Sequence, residues 1–419
     1  MRNIYDQYKH HENRLTHALV TTLAEDRKLL VPFIKWTTGQ KLPTKTRLSI
    51  VEQRLPNDRE LSEEESEKRG LPDAVIFDQD GWALVIESKI ASKPSHEQIV
   101  RYINTLRHRG FQDISALVIT LNKTNILPGA VHCNEWSNIY CWFRQHEHSL
   151  PAKRLAEYME IAENRMLEDN YLLEGMVTKF SGIPFDSDHP YDYNEARRLI
   201  KLAMDELRCN SVLTENLGMN PKSGRGAITG KGRTSVWDFL AIEPKLYENI
   251  FTKSPHLTLS VHFDGVEAGI TLPNGLRTQY RKNLISSDYQ HFLNVMEQTA
   301  TNLNRSLGSV EGAVPRMYAV QRRYNHGQKG ESTIDARVSF DLRTAIGKSL
   351  GDRHPVKKQP EWLEASYEAF KNKRSNLQMG IGAFFPYASC PSVHSAKILD
   401  HVAAAWLACR PILRVVIGN

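Results

Sequence analysis

Asp73, Glu87 and Lys89 are the residues whose types and spacing bear most directly on chemistry. They lie in the stretch Pro72 to Lys89, PDAVIFDQDGWALVIESK. Two carboxylates with one ammonium beside them form a hard, oxygen-rich site for a divalent cation. That combination suits phosphodiester hydrolysis, in which a metal activates water and a fixed cation offsets phosphorane charge.

The elements that must position them are legible nearby. Apolar runs Ala74–Phe77 and Trp82–Ile86 flank the polar turn Asp78-Gln79-Asp80-Gly81, a hairpin signal in which Gly81 can take positive φ. Register decides whether the polar ends cooperate. A two-residue loop sets Asp73 opposite Ser88, on the other face from Glu87. A three-residue loop with Gly81 in a bulge sets Asp73 opposite Glu87, and Lys89 then shares their face.

Residues 4–26 predict a helix with an Ile4, Tyr8, Leu15, Leu19 stripe, and Glu12 falls on that stripe. An acid there is a rim residue or a buried group with a partner. After a polar link containing Pro43, residues 47–55 predict a strand, and 58–70 a charged helix or loop. From Pro94 to Gly110 the pattern is helical, with Gln98 and Tyr102 stacked at i,i+4 and a basic flank including Arg101. Residues 115–121 predict a strand buried on both faces, 138–143 a further strand, and 152–169 a closing helix. Helix, strand, hairpin, helix, strand, strand makes a mixed sheet flanked by helices.

These parts together resemble the PD-(D/E)XK nuclease superfamily over residues 1–175. Pro72-Asp73 and Glu87-Ser88-Lys89 match its signature, and Gln98 and Tyr102 match the QxxxY helix of RecB-like members. Glu12 matches the acid many members carry on the first helix. The resemblance implies an α/β restriction-endonuclease-like core, followed here by a second α+β domain at 176–419. It implies a magnesium-dependent deoxyribonuclease, with manganese able to substitute. Asp73, Glu87 and the Ser88 carbonyl would hold the metal, and Glu12 would bind it through water or complete a second site. Lys89 would orient or deprotonate the attacking water, and Gln98 and Tyr102 would position Lys89 or the phosphate. Members often dimerise to cut both strands, and a free-standing nuclease with an unfamiliar second domain suggests a bacterial restriction or antiphage-defence effector. The alternatives are a non-catalytic nucleic-acid-binding protein of this fold, or a nuclease acting on RNA or on branched or damaged DNA.

Composition bounds the rest. The 419 residues predict two domains, and 41% apolar with 24% charged residues is the make-up of a folded, soluble chain. No apolar run reaches transmembrane length and the N-terminus is polar, which predicts a cytoplasmic protein without a membrane partner. Five cysteines (Cys133, Cys141, Cys209, Cys390, Cys409) without CxxC spacing read as reduced thiols. Residues 1–175 hold 23 Lys and Arg against 25 Asp and Glu, whereas 176–419 hold 31 against 23, so the second half attracts phosphate more strongly.

A break near 176–192 marks the boundary. The segment 216–235 is Gly-rich and basic, with Lys222, Arg225, Lys231 and Arg233 as candidate DNA-backbone contacts. It is not a P-loop: Arg225 stands where the first glycine belongs, and Gly232 follows Lys231. Residues 256–273 predict a second hairpin, 315–325 and 332–342 a strand pair, and 395–413 a closing helix. Arg316, Arg322 and Arg323 with Tyr318 and Tyr324 form either a nucleic-acid surface or an exposed sheet face. Cys390 and His394 read as a structural pair. The second domain is assigned to substrate recognition or to binding a protein or nucleic-acid trigger.

Overall fold

The computed structural model describes residues 4–42, 47–58, 70–122, 131–169, 175–222, 228–229, 233–242, 252–285, 288–324, 332–345, 356–372 and 376–418. The chain divides into two compact units, Met1–Lys179 and Phe180–Asn419.

The first unit runs α1 (His11–Glu25), α2 (Arg27–Thr38), β1 (Ser49–Glu52), β2 (Ala74–Phe77), β3 (Trp82–Ser88), α3 (His96–His108), β4 (Asp113–Thr120), β5 (Val131–Glu135), α4 (Trp136–Arg144) and α5 (Leu150–Glu168). Its sheet is five-stranded in the order β1-β2-β3-β4-β5. The β1–β2 and β2–β3 pairs are antiparallel, and β3–β4 and β4–β5 are parallel. Side-chain alternation gives β3 two different neighbourhoods. Trp82, Leu84 and Ile86 pack with Leu15, Leu19, Trp136 and Leu155, whereas Ala83 and Val85 pack with Ile99, Tyr102 and Leu106 of α3. Leu15 and Leu19 are wholly buried, which at roughly 2 kcal/mol each secures α1 across the sheet.

Three sequence expectations change. The segment 138–143 is helical: Trp136, Ile139, Tyr140 and Phe143 are buried at i, i+3, i+4 and i+7, and the strand precedes them as β5. The expected first helix starts only at His11, and the link after it contains a helix, α2, with Pro32 inside it.

The second unit is built on a seven-stranded, wholly antiparallel sheet in the order β11-β10-β12-β9-β8-β7-β6. Its elements are α6 (Tyr193–Arg208), α7 (Ser211–Leu217), β6 (Ile228–Thr229), β7 (Ser235–Ala241), β8 (His256–His262), β9 (Gly265–Leu272), α8 (Thr278–Ile285), α9 (Tyr289–Leu307), β10 (Val314–Tyr324), β11 (Ser332–Asp341), α10 (Glu361–Lys371), β12 (Leu377–Pro386), α11 (Ile398–Ala408) and α12 (Arg410–Ile417). The closing helix is therefore two helices, with Pro411 in the first turn of the second. Among the described residues, no helix is long and apolar enough to cross a membrane.

Candidate active site

The hairpin adopts the three-residue loop. Ala74 pairs with Ile86 and Phe77 with Ala83, so the same register sets Asp73 opposite Glu87. Asp78 fixes the turn: its Oδ1 accepts the N–H groups of Asp80 and Trp82, both at 2.9 Å, while Gly81 takes φ +96°. The Asp78 N–H donates to the Trp82 carbonyl, and the Gln53 N–H donates to the Asp73 carbonyl. Even-numbered residues of β2 thus bond to β3 and odd-numbered ones to β1. Asp73 and Glu87 therefore form a non-hydrogen-bonded pair, the kind whose Cα atoms approach to about 4.5 Å.

The next rung would join residue 72 to Ser88. Position 72 is proline, which has no N–H, so the Ser88 carbonyl faces a residue with no donor to offer. The Ser88 N–H donates instead to Asp73 Oδ2 at 2.7 Å. The Ser88 hydroxyl lies on the opposite face from Glu87, so any ligation by Ser88 comes from its carbonyl.

Glu87 is 2% exposed. Its Oε1 receives Lys89 Nζ at 2.8 Å and Gln98 Nε2 at 2.8 Å, and its Oε2 is buried with no hydrogen-bond partner. Lys89 Nζ also reaches Glu12 Oε1 at 3.0 Å, and the Ile90 N–H donates to Glu12 Oε2 at 2.8 Å. The first helix thus brings its acid to the C-terminal end of β3, but both oxygens are engaged by lysine and backbone. Gln98 and Ser95 have the spacing of a capping box, and Ser95 accepts the Gln98 N–H. The Gln98 side chain turns to the site: its amide donates to Glu87 and, at 2.5 Å, to the Tyr102 hydroxyl, which in turn donates to the Leu71 carbonyl.

Electrostatics follow from this packing. Burial, then the facing Glu87 carboxylate, pushes Asp73 well above the usual carboxylate range. Burial also raises Glu87, against the pull of Lys89. Burial alone would lower Lys89, but Glu87, Asp73 and Glu12 outweigh it, and the ammonium is held more firmly than usual. In the metal-free site this packing favours the ammonium form. Burial and Glu87 push the Tyr102 hydroxyl up to about 12.

A buried carboxylate oxygen without a donor calls for a cation. The Glu87 Oε2, the Asp73 carboxylate and the Ser88 carbonyl form an all-oxygen set that fits magnesium or manganese. Among the described residues, no three His, Cys, Asp or Glu side chains make a metal-holding group. Magnesium characteristically takes one or two carboxylates and keeps waters.

The other expected contact residues lie apart from this cluster or at its margin. Arg101 donates to the Gly70 carbonyl at 3.0 Å, pinning the segment that leads into Asp73. Arg225 and Lys231 lie outside the described residues. Lys222 and Arg233 are exposed in the second unit, with the Arg233 guanidinium 5.0 Å from the Tyr193 ring centroid. Arg316 stacks on Phe384 at 4.4 Å and bonds Ser339, and Arg323 pairs with Asp335. His394 Nδ1 sits 2.8 Å from the Ile183 carbonyl and Cys390 Sγ beside Ser392, so thiol and imidazole do not meet.

Sequence reasoning missed the backbone half of this site: the Leu71 carbonyl, the Ile90 N–H and the Gln53 N–H. Main-chain groups carry no residue signature, so only the fold reveals them. No protein-family model matches the chain, and no curated protein matches it.

Proposed function

We propose that the first unit is a metal-dependent nuclease of the restriction-endonuclease-like class that hydrolyses phosphodiester bonds in DNA. The observation that carries this reading is the partnerless, buried Glu87 Oε2 opposite Asp73 and beside Lys89. A divalent cation in that oxygen set would polarise the phosphoryl group and yield a hydroxide nucleophile near neutral pH. Asp73 and Glu87 hold their oxygens in place from opposite strands. Lys89, kept charged by three carboxylates, stabilises negative charge developing on the phosphoryl oxygens. Gln98 holds the Glu87 carboxylate in one orientation, and Tyr102 holds Gln98. The second unit serves substrate or trigger recognition on this reading, supported by its excess of Lys and Arg.

The test is cleavage of supercoiled plasmid, linear duplex and single-stranded DNA, and of RNA, with magnesium, manganese or EDTA. Metal-dependent cleavage that disappears in folded Asp73→Ala and Lys89→Ala proteins supports the reading. Cleavage that survives both substitutions sinks the site. DNA binding that needs no metal, with no cleavage, makes the chain a binding protein.

A further inference from the structure

Strand β10 pairs with β12 only as far as Gln321, whose partner Leu377 is the first residue of β12. Past that point its partner among the described strands is β11 alone: Arg322, Arg323 and Tyr324 pair with Ile334, Thr333 and Ser332. The end of the β10–β11 hairpin thus leaves the sheet as a two-stranded ribbon. Every residue of β11 from Thr333 to Arg337 is exposed. No step of the proposed catalysis uses this ribbon.

Its two faces differ. Gln321 pairs with Ala336 but Arg322 with Ile334, so Asp335 is an extra residue, a bulge in β11. Without it, alternation would put Ile334 on the face of Ala336 and Val338. With it, Ile334 stands opposite Arg322, and Arg337, opposite Val320, shares that face. Arg323 belongs to the other face, and its guanidinium pairs with the Asp335 carboxylate at 3.5 Å. One face therefore carries Arg322, Arg337 and an isoleucine that is 45% exposed, while the ribbon's acid is matched by an arginine of the other face.

These features select a partner. A bulge in an edge strand breaks the register that a further strand would need, which disfavours a second copy or an extended peptide added along β11. Ile334 is the one large apolar side chain exposed on the ribbon among the described residues, too little for an apolar protein interface. Positive charge gathered on one face suits phosphate. The major groove of B-DNA is about 12 Å wide and admits a two-stranded ribbon, whose strands lie about 4.8 Å apart. In that groove arginine reads guanine, and an apolar side chain meets the thymine methyl group.

We propose that the β10–β11 ribbon enters the major groove of duplex DNA, with Arg322, Arg337 and Ile334 facing the DNA. The proposal rests on the nuclease reading for the identity of the ligand, and deepens it by naming the recognition element of the second unit. The major groove of duplex RNA is deep and narrow and closed to such a ribbon, and a single strand has no groove to enter.

The test is fluorescence anisotropy of a labelled DNA duplex, RNA duplex and DNA single strand of one sequence, with the full chain in EDTA across a salt series. The DNA duplex should bind about tenfold or more tighter than the other two at equal salt. Arg322→Ala combined with Arg337→Ala should lose about tenfold and lower the salt slope by about one for each arginine. Ile334→Glu, at an exposed position, should lose a similar factor, whereas Lys371→Ala, exposed on α10, should change little. Unchanged affinity in the arginine and Ile334 variants overturns the proposal, as does equal affinity for the DNA duplex and either other ligand. Failure of the wild type to bind any of the three at low salt also overturns it and leaves the ribbon to a protein partner. Parallel reactions in magnesium and manganese separate the two readings. Cleavage with unchanged affinity in the variants overturns the ribbon and keeps the nuclease. Ribbon-dependent binding without cleavage under either metal overturns the nuclease and keeps the ribbon.

Discussion

Glu12 and Lys89 meet at 3.0 Å across 77 residues of sequence, and the other Glu12 oxygen is bonded to the Ile90 N–H. The first-helix acid therefore acts on the lysine and on the chain just past β3. Replacing it by Gln leaves the Ile90 contact possible but removes one of the charges that hold the ammonium in place. The expected result is a fall in turnover of about tenfold, with little change in the magnesium concentration that gives half-maximal rate. Cleavage rates across a magnesium titration check this. A large rise in that concentration with turnover intact would make Glu12 a metal holder after all.

Asp73 and Glu87 face each other in a site suited to a cation, and without one they repel. The folded-state pKa of Asp73 is raised above its ordinary value of 3.8, so ionisation opposes folding. Stability of the metal-free protein is then lost as pH rises from that value through the raised one. Asp73→Asn removes the ionisation. It should raise the melting temperature of the metal-free protein at pH 7–8 by a few degrees while abolishing cleavage. Magnesium should raise the wild-type melting temperature and leave that of Asp73→Asn nearly unmoved. A variant that melts lower than wild type in EDTA would contradict the account.

Gln98 spends both amide hydrogens, one on Glu87 and one on Tyr102. Gln98→Leu leaves Glu87 with only Lys89 to orient it, and the expected loss in kcat is on the order of tenfold to a hundredfold. Tyr102→Phe removes a hydroxyl that touches neither carboxylate directly, and should cost only about 1 kcal/mol of transition-state stabilisation. Paired rate measurements check the order: a Tyr102→Phe loss larger than that of Gln98→Leu would reverse the proposed chain of support.

What the sequence disclosed was the part encoded locally. The β2–β3 hairpin was legible because alternation and Asp80-Gly81 are local, although two registers fitted until the Asp78 contacts chose one. Helix α3 was legible from its Pro94 and Gly110 bounds and the apolar side made by Ile99, Ile103 and Leu106. Helix α4 was not, because Ile139 to Phe143 is a short apolar run whose period is ambiguous without the buried Trp136 before it. Helix α2 lies in the stretch read as a polar link before β1, and it holds Pro32, a residue that argues against a helix interior. The bond from Arg101 to the Gly70 carbonyl was not legible, because its partner lies 31 residues away and is a main-chain group.

In the second unit, His256 gives a prediction about acid stability. It is 3% exposed, its Nδ1 lies 3.0 Å from the Ser254 carbonyl, and its ring meets Phe239 edge-on. Burial lowers its pKa from 6.5 to about 4, outweighing the carbonyl, so the folded state holds it neutral. The unfolded chain binds the proton between those values and the folded chain does not. Stability from this group is therefore complete above 6.5, falls as pH drops, and is fully lost near 4. The difference corresponds to about 3 kcal/mol. Chemical denaturation at pH 7, 5.5 and 4 should show wild type losing about that much more than His256→Gln, whose amide can still donate to the carbonyl but does not titrate. The chain has two compact units, so the signal should come from Trp237 or Trp406, both in this unit. Parallel stability curves for the two proteins would place the acid sensitivity elsewhere.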